Sequence, residues 1–131
     1  MSGFSRRKPF AFGGVEPRLR SHAEANGIVL ASNFMYMSAK SLSHARRLTK
    51  TNLGLAVSVD DMCNFPTAKA DMDLFWDGES YIYTDYRNKF IIHPNYTIKM
   101  PNGKRRRVAF ITSGKVNNPS EFSDRIRYKK V

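Results

Sequence analysis

The carboxylates between residues 71 and 79 are the side chains whose type and spacing best suit catalysis. Asp71 and Asp73 alternate along a segment with the pattern of a β-strand, and Asp77 and Glu79 flank a turn. Clusters of this kind hold the two metal ions of phosphoryl-transfer enzymes. Asp is also an ordinary residue at turns and strand ends. The cluster therefore supports a metal-dependent nuclease only as a third hypothesis, behind two functions that need no catalysis.

Other catalytic signatures are absent from the sequence. It contains neither a G-x-x-x-x-G-K-[ST] loop nor a G-x-G-x-x-G loop for phosphate binding. His22, His44 and His93 are far apart, and the single cysteine, Cys63, has no partner at metal-ligand spacing. A buried cysteine without such partners ordinarily packs as a small hydrophobic residue. We therefore expect a protein that is not an enzyme and that uses no metal or other cofactor.

A run of four cations, Lys104-Arg105-Arg106-Arg107, is the feature that most directly indicates a ligand. It follows Pro101-Asn102-Gly103, a sequence typical of a β-hairpin turn. A basic hairpin can enter a groove of a nucleic acid or follow its phosphate backbone. We therefore predict phosphate contacts from this run and from seven further cations, which are Lys99, Arg46, Arg47, Arg125, Arg127, Lys129 and Lys130.

The charge of the whole chain is strongly segregated. Twenty-two Lys and Arg residues against 11 acids give a net charge of +11 at pH 7. Residues 1–59 carry +7, residues 60–86 carry −6 and residues 87–131 carry +10. Such segregation costs electrostatic self-repulsion unless a partner offsets it. The leading hypothesis is a non-enzymatic protein that binds DNA or RNA with an affinity that falls as salt rises.

Four tyrosines in the second half of the chain have two interpretations. Exposed aromatic rings can stack on unpaired bases, and buried ones form the core of a sheet. The sequence leaves both interpretations open for Tyr81, Tyr83, Tyr86 and Tyr96.

The first twenty residues suggest a different partner. Residues 1–20 contain Pro9, Gly13, Gly14 and Pro17, which interrupt any long helix, so we expect an extended basic arm followed by one domain over residues 21–131. An arm of this kind can dock on copies of the same chain or on other subunits. The alternative hypothesis is therefore a structural subunit of a virion or other large assembly. Its arm would make contacts through Arg6, Arg7, Lys8, Phe10 and Phe12.

Hydrophobic patterning predicts an α+β fold. The sequence predicts a small antiparallel sheet of four or five strands over about residues 71–112, with Asp77-Gly78 at one hairpin turn. Helices are expected at about residues 38–52 and 119–128, and Ser21–Glu24 has the form of a helix capping box. The apolar segment 28–37 fits a helix or a strand equally well.

The register of the basic hairpin follows from its side-chain pattern. A two-residue Asn-Gly loop would put apolar residues and cations on the same face of the hairpin. A three-residue loop with Gly103 in the left-handed conformation instead places Tyr96, Ile98, Met100, Val108 and Phe110 on one face. Lys104 and Arg106 then extend from the end of that face, and Thr97, Lys99, Arg105 and Arg107 share the other. The three-residue loop separates apolar from basic side chains better, and we predict it for that reason.

The sequence also bears on cellular location. It has no run of 18 apolar residues, so we expect no membrane span and no membrane partner. The basic N-terminal stretch lacks the apolar segment of a secretory signal. We expect a cytoplasmic or virion protein on these grounds.

Overall fold

The computed structural model describes residues 9–38, 59–100 and 102–131. These residues form seven strands, two short α-helices and two 3₁₀ turns. The strands are β1 (Pro9–Gly14), β2 (Phe34–Ser38), β3 (Asp73–Trp76), β4 (Tyr81–Thr84), β5 (Asn88–Lys99), β6 (Arg105–Lys115) and β7 (Lys129–Lys130). The helices are α1 (Pro17–Ala25) and α2 (Val59–Ala68), and the 3₁₀ turns are Lys69–Asp71 and Pro119–Ser123.

All seven strands belong to one mixed sheet in the order β1-β2-β6-β5-β4-β3-β7. The β2–β6 pair is parallel, and the other neighbouring strands are antiparallel. The α+β class agrees with the sequence analysis, but the expectation of a four- or five-stranded antiparallel sheet was wrong. The prediction missed β1 and β7 and left the segment of β2 undecided, because these strands pair with segments distant in sequence and so leave no local turn signal.

The N-terminal segment differs from the extended arm expected over residues 1–20. Pro9 begins β1, where Phe10 lies opposite Met37 of β2 in the sheet register. Pro17 begins α1, because proline at the first helical position loses no hydrogen bond. The expected capping box at residues 21–24 was wrong, since those residues lie inside a helix that Glu16 precedes. The undecided segment 28–37 ends in strand β2.

The first face of the sheet carries the larger core. Tyr81, Tyr83, Phe90 and Ile92 are fully buried there under the helices. Phe65 of α2 stacks on Phe90 with ring centroids 4.3 Å apart. Tyr81 and Tyr83 therefore share one face of the sheet, and their burial removes both from the set of base-stacking candidates.

Hydrogen bonds also fix α1 on the first face. The Glu16 carboxylate, just before α1, accepts hydrogen bonds from Tyr83 Oη and Arg18 Nε, each at 3.0 Å. Arg18 also donates to the carbonyls of Lys69 and Met72, so α1 is tied to β4 and to the first 3₁₀ turn.

The second face is covered at one side by the C-terminal segment. The expected helix at 119–128 was wrong, because only Pro119–Ser123 forms a 3₁₀ turn. Phe122 stacks on Phe75 at 5.2 Å, whereas Ile126 is 90 % exposed. The Asp124 carboxylate accepts the amide hydrogens of Ile126 and Arg127, and this local turn ends the helical path.

Two further expectations concern helices. The predicted helix at 38–52 lies outside the described residues, apart from Ser38, which ends β2. In the described parts of the chain, no helix has both the length and the apolar character needed to cross a membrane.

Candidate nucleic-acid interface

The long hairpin formed by β5 and β6 positions the predicted phosphate-binding residues. Lys99 pairs with Arg105 in the sheet, and the Met100 amide donates to the Lys104 carbonyl at 2.8 Å. Gly103 has a φ of +83°, a conformation that glycine adopts without a Cβ penalty. These observations confirm the three-residue loop, and with it the predicted separation of the two hairpin faces.

The hairpin is long because β5 continues through Pro94 to Lys99. A bulge between His93 and Tyr96 accommodates the proline, which has no amide hydrogen for the ladder. The distal part of the hairpin, residues 97–107, is called the hairpin tip below, with Pro101 outside the described residues.

Five cations crowd the hairpin tip, and all of them are exposed. They are Lys99, Lys104, Arg105, Arg106 and Arg107. The ion pairs found among the described residues involve other cations, namely Arg18, Lys89 and Lys130. No described carboxylate therefore offsets the charge of the hairpin tip.

The sheet register brings like charges together on the first face of the hairpin tip. Lys99 and Arg105 are directly opposite, so their Cβ atoms are about 5 Å apart. Arg107 follows Arg105 on the same face at a spacing of about 7 Å. Directly opposed like charges destabilise a strand pair. The arrangement has the electrostatic character of a site for a polyanion.

Arg106 lies on the second face, beside aromatic side chains. Its guanidinium carbon is 5.4 Å from the centroid of the Tyr36 ring. A cation–π contact of this kind orients the guanidinium without neutralising it. Arg106 therefore keeps its charge and its donors for an external ligand.

The C-terminal cations lie elsewhere, at the β7 edge of the sheet, whereas β5 and β6 are central strands. This C-terminal cluster consists of Arg125, Arg127, Lys129 and Lys130. Lys130 pairs with Phe75 of β3, and its own strand, β7, is three strands away from β5. Along the strand direction, the hairpin tip extends eight residues beyond the level of Phe75. Standard strand dimensions put the two groups about 30 Å apart. The fold therefore separates the hairpin tip from the C-terminal cluster, although phosphate contacts were predicted from both.

The C-terminal cluster also has intramolecular partners. Lys130 Nζ is 3.6 Å from Asp73 Oδ1, and Arg125 lies over the Phe75 ring with its guanidinium carbon 5.3 Å from the centroid. Arg127 lies 5.2 Å from the ring centroid of Tyr128. The acidic segment 60–86 thus offsets part of this cluster, whereas the hairpin tip lacks such a neighbour among the described residues.

Two of the four carboxylates proposed for a nuclease, Asp73 and Asp77, have structural partners. Asp71 lies in a 3₁₀ turn and not on β3, so the predicted alternation with Asp73 on one strand was wrong. Asp73 accepts a hydrogen bond from Tyr86, which lowers the pKa of the Asp73 carboxyl. Asp77 accepts the amide hydrogens of Glu79 and Ser80 in the hairpin turn. Within the described residues, no group of three or more His, Cys, Asp or Glu side chains is arranged to hold a metal ion.

Two aromatic groups near the bulge complete the site. Tyr96 is 45 % exposed, and its ring stacks on Phe110 with centroids 4.8 Å apart. The His93 ring is 5.7 Å from that of Tyr96. Burial lowers the pKa of His93, while the nearby Asp77 carboxylate acts in the opposite direction. The sequence analysis named Tyr96 only as one of four tyrosines, because exposure depends on tertiary packing.

The remaining predicted contacts are only partly described. Phe12 is partly buried and packs against the core of its own chain. Five of the predicted cations lie outside the described residues, namely Arg6, Arg7, Lys8, Arg46 and Arg47.

Comparisons with known proteins add no relative. The chain has no significant match among protein-family models, curated proteins or solved structures.

Proposed function

We propose that this protein binds nucleic acid through the hairpin tip. The observation that carries the proposal is the crowding of five exposed cations on one projecting hairpin, with no described carboxylate in ion-pair distance. Lys99, Arg105 and Arg107 present one charged face, and Lys104 and Arg106 extend along the other. Phosphates bound between these side chains would offset the repulsion that the register creates.

The shape of the hairpin supports the same function. A two-stranded antiparallel ribbon is narrow enough to enter the major groove of a duplex or to lie along a single strand. Ile92 of β5 pairs with the first residue of β4. The cations farther along β5 and β6 therefore lie beyond the neighbouring β3–β4 turn, and the hairpin tip projects past the level of that acidic turn.

The test compares two variants that lose the same charge. In the hairpin variant, the four residues Lys104 to Arg107 are replaced by Ser. In the control variant, the C-terminal cluster of Arg125, Arg127, Lys129 and Lys130 is replaced by Ser. Binding to a fluorescent DNA or RNA strand is measured between 50 and 200 mM salt, and circular dichroism confirms that both variants fold.

We expect the hairpin variant to lose affinity and salt dependence together. Four lost phosphate contacts reduce the slope of log affinity against log salt by about 3 to 4. The control variant should keep most of that slope, because its cations are about 30 Å away. Equal losses of affinity in the two variants would show that binding depends only on net charge, against the proposal. Wild-type protein that does not bind at 50 mM salt would refute it.

A further inference from the structure

The second face of the long hairpin carries an aromatic surface that the phosphate contacts do not explain. Tyr36 of β2, Phe110 of β6 and Tyr96 of β5 lie side by side across three neighbouring strands. Phe110 is nearly buried, Tyr36 is half-buried and Tyr96 is exposed. These three residues are called the aromatic surface below.

Tyr96 is the member of the aromatic surface that can accept another ring. One side of its ring stacks on Phe110, with planes inclined by only 19°. Tyr96 is nevertheless 45 % exposed, with the His93 ring 5.7 Å away, and we take the exposed part of its ring to be the side away from Phe110. A flat ligand placed there would continue the stack begun by Phe110. Tyr81 and Tyr83, in contrast, have no exposed surface at all.

A cation lies next to this stacking position. Arg106 pairs with Ile98, and Tyr96 pairs with Val108, so Arg106 and Tyr96 are diagonal neighbours on the same face. Such neighbours are separated by about 7–8 Å. A nucleotide whose base stacks on Tyr96 would thus have its phosphate within reach of Arg106, which its contact with Tyr36 already orients.

We infer that the aromatic surface binds an unpaired base, and that the protein prefers single-stranded nucleic acid to duplex. This inference rests on the proposed function, since the cations of the hairpin tip supply the general attraction. In a duplex each base is covered by its neighbours and is exposed to a stacking side chain only after costly unstacking. In a single strand the base is free to stack, and exposed rings on a sheet are used in this way by single-strand-binding proteins.

Charge selects this occupant over another protein surface. The exposed cations beside Tyr96 have no carboxylate partner among the described residues, so an apolar partner would leave them unpaired at the edge of the contact. A nucleotide satisfies the ring and the cation together.

The experiment separates base stacking from phosphate attraction. Wild-type protein and variants are titrated with strands of about 15 nucleotides. The four probes are oligo-dT, oligo-U, an abasic DNA strand of equal length and the matching duplex. Tyr96→Ala removes the ring, and Tyr96→Phe retains it. Tyr86→Asn is the matched control, because it removes another exposed tyrosine, at a site whose φ of +69° asparagine tolerates.

The expected result is a loss that depends on the base. Tyr96→Ala should bind oligo-dT and oligo-U at least about fivefold more weakly, with no change on the abasic strand or the duplex. Tyr96→Phe and Tyr86→Asn should bind all four probes as wild type does. Ultraviolet crosslinking of a strand that contains 5-iodouracil should modify Tyr96, as located by mass spectrometry.

Three outcomes would overturn the inference. These are equal affinity of wild type for the duplex and the single strand, an unchanged affinity of Tyr96→Ala for oligo-dT, and a crosslink confined to other residues. Each of them leaves the proposed function intact if the hairpin variant still loses binding. If the hairpin variant binds as wild type does, the proposed function itself has failed.

Discussion

Reversal of one charge on the hairpin tip should make the fold more stable and the binding weaker. In Lys99→Glu, a carboxylate faces Arg105 across the strand pair and has Arg107 as a diagonal neighbour. The substitution turns repulsion into attraction at a position that has no ion pair in the wild-type structure. A side chain whose replacement stabilises the fold is expected at a site where its charge binds a ligand.

The magnitude follows from the register. Two unit charges about 7 Å apart in water interact by about 0.6 kcal/mol, so changing repulsion to attraction alters the free energy of unfolding by about 1 kcal/mol. For a chain of this length the melting temperature should rise by about 4 °C. The Debye length falls from about 30 Å at 10 mM salt to about 3 Å at 1 M. The stabilisation should therefore almost disappear at 1 M salt.

Lys130→Glu is the matched control, because it lowers the net charge of +11 by the same amount. It removes the 3.6 Å pair with Asp73 and puts two carboxylates side by side. This variant should be less stable than wild type by about 0.5–1 kcal/mol at low salt. The opposite signs distinguish local geometry from a general relief of net charge.

The assay is urea denaturation of both variants at 10 mM and 1 M salt, with nucleic-acid binding measured in parallel. A destabilised Lys99→Glu, or a stabilisation that persists at 1 M salt, would refute the reasoning from crowded cations. Stabilisation of both variants by the same amount would show that only net charge matters.

Three further predictions concern the fold. Phe65→Ala should reduce the free energy of unfolding by about 3–5 kcal/mol in urea, because it removes a fully buried ring from the first face; a loss below about 1 kcal/mol would contradict this packing. Tyr86→Phe removes the hydrogen bond that lowers the Asp73 pKa below its ordinary 3.8. A lowered carboxyl pKa stabilises the fold at pH values above the unfolded-state pKa, so Tyr86→Phe should be less stable than wild type at pH 5–7. The difference in stability should vanish as acid protonates Asp73. A difference that does not depend on pH would contradict this prediction. Gly13→Ala should lower the melting temperature more than Gly103→Ala. Both glycines have a positive φ, but of the two only Gly13 would place the new Cβ 3.0 Å from a proline of α2. Equal losses of stability would argue against that close approach.

Local signals in the sequence predicted the hairpins well. Asp77-Gly78 and Pro101-Asn102-Gly103 both form turns at the predicted places. The first turn is longer than two residues, since β4 begins at Tyr81 and Asp77 caps the residues between. Turn chemistry and the alternation of side chains depend on a few adjacent residues, so a sequence pattern is enough to predict them.

The candidate site was predicted only in part. The cations of the hairpin tip were identified from their density and from the turn before them. Their separation from the C-terminal cluster was missed, because β7 joins β3 and not the basic hairpin. The exposure of Tyr96 could not be predicted either, since Tyr83 is the same residue type in a similar strand and is fully buried.

By itself, the sequence determined the charge of each segment, the two hairpin turns and which side chains share a face of the basic hairpin. Only the tertiary structure decided that β1 and β2 extend the sheet, that the C-terminal residues form a 3₁₀ turn and an edge strand, and which cations lack an intramolecular partner. The physical reason is the separation along the chain of the residues that must come into contact. A turn forms from contacts between neighbours in the chain, whereas strand order and burial depend on apolar surfaces that meet only after distant segments have come together.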